Sequence, residues 1–240
     1  MGDIELTIGR KGNEVVTAKL SKLPHMLVAG RTGSGKSVFV NGIIKDLIRH
    51  PDSEVGLVLL DPKRVELARY KDLPHTLDTA YELGHMVYLL NWAVGEMHKR
   101  YTLMEEMGAR TFEDTGGVWS RLVIVVDELA NIILQDKATE RPLVAIASMG
   151  RAAGVHLILA TQSPRADVIT GLIRANIPTR IAMPVVTKMD SRIILDEGGA
   201  ERLREPGQIL ARLPGHMELV RLQGEHYSDE QLDEAVARWT

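Results

Sequence analysis

Residues 30 to 37 read Gly-Arg-Thr-Gly-Ser-Gly-Lys-Ser, a match to G-x-x-x-x-G-K-[ST]. Glycines at this spacing let successive backbone N–H groups turn inward onto phosphate oxygens, and a helix that follows adds its positive dipole end. The pattern therefore predicts a bound nucleoside triphosphate, taken as ATP. Gly30, Arg31, Thr32, Gly33, Ser34, Gly35 and Val38 are expected to line it, Lys36 to reach the β- and γ-phosphates, and Ser37 to ligate Mg2+. A second constellation is "LVIVVDE", where an apolar run delivers Asp127 and Glu128 to a strand end. Asp127 there can hold the metal's water shell, and Glu128 can orient and deprotonate an attacking water. Adjacent acids favour hydrolysis over transfer to a substrate hydroxyl; the alternative for Glu128 is a solvated strand-end charge. "LILATQ" brings Thr161 and Gln162 to another strand end, where a polar pair can sense the γ-phosphate or form a simple turn. Arg151 precedes the turn "AAG"; it either stabilises charge on a transferred phosphoryl or is a surface residue satisfying a helix end.

Such residues work only if strands and helices hold them at one edge. "HMLVAG" is a short apolar run that ends in the glycine loop, and "SVFVNGIIKDLIRH" carries Val40, Ile43, Ile44, Leu47 and Ile48 on one helical face. "VGLVLLD", "RLVIVVDE", "VHLILATQ" and "TRIAMPVV" read as further buried strands. A long helical pattern runs from about Thr79 to Met107, with Gly108 as its stop and methionines as core filler. A helix is expected across 141–154, and the last one across 228–240 with Ser228 as N-cap. "IELTIG" and "EVVTAKL" read as a small hairpin about Lys11-Gly12-Asn13, and "GQILARL" and "MELVRL" as a closing hairpin about Pro214-Gly215. Strands alternating with helices predict an α/β fold: a mostly parallel sheet covered on both faces. Its carboxyl edge would gather Gly30, Asp61, Asp127, Glu128, Thr161 and Gln162.

The bulk numbers narrow the function classes. At 240 residues there is room for one sizeable domain, read as an N-terminal hairpin (1–22), a core (23–227) and a C-terminal helix (228–240). Cysteine is absent and the eight histidines form no H-x-x-x-H pair, which argues against a thiolate or histidine metal site. The N-terminus has no apolar signal region and no run reaches transmembrane length, so a cytoplasmic setting without direct membrane insertion is expected. A net charge of −3 means that any nucleic-acid surface must be local.

"LPHMLVAGRTGSGKSVFVNGII", "LLDPKRVEL", "VVDELA", "GRAAGVHLILATQSPRADVITGLIRANIPTRIA" and "KMDSRIILDEGGAERL" together resemble the FtsK/SpoIIIE DNA translocases, in order, from about residue 5 to the C-terminus. The long "DVITGLIRANIPTRIA" is far more specific than any P-loop. The resemblance implies a RecA-like P-loop NTPase core that assembles as a homo-oligomer, a hexameric ring around double-stranded DNA, with ATP between subunits. It implies that Arg151 is a finger acting on the neighbour's nucleotide, and that Arg174, Lys188 and Arg192 lie on loops facing the DNA. Where the family commonly has arginine after "ATQ" this chain has Ser163, with Arg165 two residues on as the candidate contact. The stretch between Met107 and Arg121 is shorter than usual, and no membrane-anchoring region, linker or winged-helix module is found, as for an excised motor core or a compact natural version. A DNA pump is thus the leading reading. Family-related motors that export proteins are the second, and a non-catalytic nucleotide scaffold is the third. Basic positions 174, 188 and 192 argue against the second, and intact Lys36, Ser37, Asp127 and Glu128 against the third.

Overall fold

The computed structural model describes residues 2–239. Six strands run parallel: β3 (His25–Ala29), β4 (Val55–Leu60), β5 (Thr76–Ala80), β6 (Arg121–Val126), β7 (Val155–Thr161) and β8 (Thr179–Ala182). The N-terminal hairpin of β1 (Glu5–Lys11) and β2 (Glu14–Lys19) and the closing hairpin of β9 (Gln208–Arg212) and β10 (Val220–Gln223) extend the same sheet antiparallel. The order is β2-β1-β10-β9-β8-β3-β7-β6-β4-β5. The first hairpin therefore does not stand apart; Arg10 opposite Gln223 joins it to the rest.

Every residue of β3, β4, β6 and β7 is buried, because helices cover both faces and leave no position for a polar alternation. Alternate side chains enter two cores. Leu27, Val58, Leu60 and Ile124 pack with α2 (Leu83–Met107), α4 (Glu140–Met149) and α6 (Lys188–Leu195). Met26, Val28, Leu57, Leu59 and Val123 pack with α1 (Lys36–Leu47), α7 (Asp229–Val236) and apolar residues of β1. Met86, Met97 and Met104 of α2 are buried core residues, as their spacing suggests. Among the described residues no helix is long and apolar enough to cross a membrane.

Several boundaries differ from the sequence expectation. The helix expected from Thr79 begins at Leu83, and Thr76–Ala80 is instead edge strand β5. A single parallel partner holds "TLDTA", so its polar alternation carries no buried-strand signal. Three short helices went unread: α3 (Leu129–Ile133), α5 (Gly171–Asn176) and α6, each too brief to show a period. β8 stops at Ala182, before Pro184, rather than running to Val186. The helix expected over 141–154 ends at Met149 and tightens into a 3-10 turn at Gly150–Ala153. The last helix ends at Val236; Thr240, to which it was expected to run, lies outside the described residues.

At the amino edge of the sheet lie two buried imidazoles. His25 and His156 have ring centroids 6.4 Å apart. Leu157 N–H donates to His25 Nδ1 at 3.2 Å, and His156 Nδ1 lies 3.0 Å from the Pro24 carbonyl, to which it donates. Burial, then the neighbouring ring and Arg151, pushes His25 down to about 3. Burial, against the Pro24 bond and with Arg121 adding to it, pushes His156 down to about 4. The unfolded chain takes up these protons near 6.5, so between about pH 6.5 and 4 it holds more protons than the fold. Stability therefore falls as pH falls through that window, by about 2 kcal/mol per ring at pH 5. Thermal melts at pH 7 and 5 should show a drop that shrinks in His156→Gln and His25→Asn. An identical drop in both variants would mean that other groups carry the acid sensitivity.

Candidate functional site

β3 runs straight into the glycine loop. Gly30 N–H donates to Thr161 O at 3.3 Å and Arg31 N–H to Pro184 O at 2.9 Å, which fixes the loop between the ends of β7 and β8. Gly35, at φ +95, is the left-handed residue that turns the chain into α1. A Cβ there would come within 2.9 Å of Gly207 N, so only glycine lets the two backbones approach. The result is strand, loop and helix N-terminus aimed at one point, with the first-turn N–H groups free of internal helix partners.

Behind the loop, Lys36 Nζ donates to Asp127 Oδ1 and to the Asp127 carbonyl, both at 3.0 Å. The pair is almost wholly buried. Asp127 Oδ2 and Ser34 Oγ are buried without any hydrogen-bond partner. Buried polar atoms ordinarily have partners, and an unpartnered carboxylate oxygen on Asp127, whose other oxygen holds Lys36, fits a group that takes a hydrated cation. Ser37, half-buried in the first turn of α1, opens onto the same cleft.

Glu128, 5% exposed, is held in a network of its own. Its carboxylate accepts from Thr161 Oγ1 at 2.5 Å and from Gln162 N–H at 3.0 and 3.2 Å. The Gln162 side chain in turn accepts from Thr32 Oγ1 of the glycine loop at 2.8 Å. Thr161 and Gln162 are thereby split between two tasks: one side chain on the acid, the other on the loop. Asp61 is different. Its carboxylate caps a turn, accepting from the backbone N–H of Lys63, Arg64 and Leu67 at 3.0–3.1 Å, which leaves it a structural part of this edge.

A cleft of about 480 Å3 opens from the loop. One wall is the glycine loop with Gln162. The other comes from Met183, Gly207, Gln223, Glu225 and His226, none of which carries a motif. Gly207 N–H donates to Ser34 O at 2.8 Å and Gly224 N–H to Gly207 O at 2.7 Å, tying the closing hairpin onto the loop. Sequence reading missed this wall because only the antiparallel return of β9 and β10 brings it there.

Arg151 is not brought to this cleft. It is exposed in the turn before β7, whereas the cleft lies past the far end of that strand. Seven residues of strand separate them by about 20 Å. The turn that carries it is braced: Arg100 Nη1 donates to the carbonyls of Ala153 and Gly154 at 3.1 and 3.2 Å, and Tyr101 Oη donates to Met149 O at 2.7 Å. Arg165 is exposed and forked onto Asp167 at 3.0 and 2.8 Å. Lys188 and Arg192 are exposed on α6. Arg174 is half-buried, 3.5 Å from Asp196 Oδ1.

A parallel sheet whose carboxyl edge holds a glycine loop, a buried lysine–aspartate pair and a second acid defines the P-loop nucleotide-binding class. The sequence profile of the FtsK/SpoIIIE family matches residues 3–121 and 115–166, and the chain belongs to that family. It is 41% identical over 252 aligned positions to DNA translocase FtsK 1 of Neisseria meningitidis serogroup A, which covers 92% of this chain and 31% of that protein. It is 39% identical over 270 positions to DNA translocase FtsK of Pseudomonas aeruginosa, covering 98% and 33%. The chain thus spans about a third of the length of these relatives. Among solved structures, the pCW3 conjugation coupling protein TcpA, a monomer form with ATPγS, superposes with a TM-score of 0.87 at 26% identity, over 99% of this chain and 70% of that one. The cytoplasmic domain of the type VII secretion ATPase EccC of Thermomonospora curvata superposes at 0.85 and 22% identity, over 99% and 31%, a likeness of fold.

Proposed function

We propose that this chain is the motor of a DNA translocase, hydrolysing ATP at the subunit interfaces of a homo-oligomeric, hexameric ring and pumping double-stranded DNA in the cytoplasm. The observation that carries the reading is the pairing of an intact phosphate cradle with Glu128, an acid held at the same edge by Thr161 and Gln162. On nucleotide binding, Lys36 exchanges Asp127 for the β- and γ-phosphates. Ser37 and Asp127 would hold Mg2+, which would supply positive charge beside the phosphates. Glu128, released from Thr161, takes the proton of the attacking water. Arg151 lies about 20 Å from its own cleft, and the family resemblance assigns it to a neighbour's nucleotide.

Duplex recognition on this reading is a phosphate affair. Lys188 and Arg192 stand exposed on α6, with Arg165 on the loop after β7, and a motor that tracks any sequence should hold phosphates, not base edges. The relatives at about 40% identity are named DNA translocases, which favours duplex over a secreted protein as cargo. Binding of two duplexes of unrelated sequence, measured across a salt series, tests this. Lys188→Ala and Arg192→Ala should each flatten the log–log salt slope by about 0.9. A preference above about tenfold for one duplex, persisting at high salt, would mean base readout and overturn the phosphate-only assignment.

A further inference from the structure

Helix α6 is short, and its last four carbonyls have no partner within the helix proper. All four are nevertheless satisfied. Arg192 O accepts from Asp196 N–H at 2.9 Å, where Asp196 turns left-handed at φ +67 and ends the helix. The next three carbonyls each take an arginine from a different element. Ile193 O accepts from Arg174 of α5 at 3.4 Å, and Ile194 O from Arg180 of β8 at 3.1 Å. Leu195 O accepts from both Nε and Nη2 of Arg212 of β9, at 3.1 and 2.8 Å. Asp196 and Glu197 share the same guanidinium nitrogens: Arg180 Nη1 also donates to Asp196 Oδ2 at 2.6 Å and Arg212 Nη2 to Glu197 Oε1 at 2.6 Å. The loop beyond is folded back by Ser191, whose Oγ donates to Glu197 O at 2.8 Å and accepts from Ala200 N–H at 3.1 Å.

We propose that Arg174, Arg180 and Arg212 are positioning residues that clamp the C-terminal end of α6, so that Lys188 and Arg192 on that helix meet duplex phosphates in a fixed register. The proposal rests on the reading of Lys188 and Arg192 as duplex contacts, and it moves Arg174 from the DNA surface to the support beneath it. A planar guanidinium suits this task because it spans a carbonyl and a carboxylate at once; a lysine ammonium keeps the charge and loses the fork. The positive groups also lie at the negative end of the helix dipole, which adds to their hold. Arg180 is 8% exposed, so its charge is spent on Ile194 O and Asp196 rather than on an outside ligand.

The test compares Arg212→Lys, Lys188→Ala/Arg192→Ala and their combination, using a short duplex of mixed sequence. Arg212→Lys should raise the half-saturating duplex concentration about tenfold, the loss of one charge-assisted fork. ATP hydrolysis without duplex should stay within about twofold of wild type. Amide exchange over 188–195 should speed up in Arg212→Lys and not in Lys188→Ala/Arg192→Ala. In the combined variant, Arg212→Lys should add nothing to the binding loss, because it acts through the two residues already removed. If the losses multiply instead, the arginine touches duplex itself and the clamp assignment is wrong. Unchanged exchange over α6 overturns it equally. If Lys188→Ala/Arg192→Ala binds duplex like wild type, the duplex reading of α6 fails, and the exchange data alone decide whether the arginines hold the helix. Should Arg212→Lys not fold, Arg174→Lys at the half-exposed end of the clamp runs the same binding and exchange comparison.

Discussion

Glu128→Gln will bind ATP and stall. The substitution keeps the shape and the hydrogen-bond reach toward Thr161 and the Gln162 N–H, so the cradle from Gly30 to Ser37 is untouched. What is lost is the base, and positioned bases contribute at least about a hundredfold. Steady-state hydrolysis should therefore fall to about one hundredth of wild type or less, with nucleotide affinity preserved. Lys36→Ala separates the two functions from the other side: it removes the phosphate ligand, leaves Asp127 buried without its 3.0 Å partner, and should weaken or abolish binding. Hydrolysis by Glu128→Gln above about a tenth of the wild-type rate would remove Glu128 from the base role.

Arg151→Ala should be at least as costly, since trans fingers contribute about a thousandfold or more. Its own phosphate loop, Asp127 and Glu128 remain intact, because the turn at 150–153 lies at the opposite end of β7. That separation makes a mixing experiment decisive. Arg151→Ala subunits lack the finger and Glu128→Gln subunits lack the base, so each is inactive alone. Mixed rings contain interfaces where an Arg151 from one subunit faces a Glu128 from the other, and these should recover part of the hydrolysis. Mixed rings that form and stay inactive would show that Arg151 does not act across the interface.

Much of the nucleotide edge was legible because it obeys two local rules. A glycine loop between a strand and a helix declares itself by residue type, and four buried strands declare themselves by unbroken apolar runs such as "LVIVV" and "LILA". Long α2 announces itself by its period over Leu90, Val94, Met97 and Tyr101. What stayed hidden depends on distant partners. Edge strand β5 is polar and takes its conformation from β4 alone, so residues 76–80 give no periodic signal. The second wall of the cleft, from Gly207 to His226, exists only because the closing hairpin returns beside β8 and β1. Arg174 looked like a DNA contact by position. Its side chain lies 3.4 Å from Ile193 O and 3.5 Å from Asp196, partners that a helix too short to show a period keeps out of the sequence pattern. Arg180 and Arg212 offered no signal at all, since lone arginines within apolar strands carry no motif.

On the proposed function, hydrolysis at this edge moves duplex DNA. Nothing among the described helices pairs a recognition helix with a supporting one, and α7 opens with Asp229 and Glu230, which phosphates would repel. A ring that reads only phosphates would load in either orientation with equal free energy. Single-molecule tracking of the protein on a duplex with marked ends is the decisive measurement. ATP-dependent travel along the duplex is expected in both directions with near-equal frequency, absent in Glu128→Gln, and unchanged when an internal segment of the DNA is inverted. Hydrolysis that proceeds at full rate with no travel, and with no response to duplex, would contradict it.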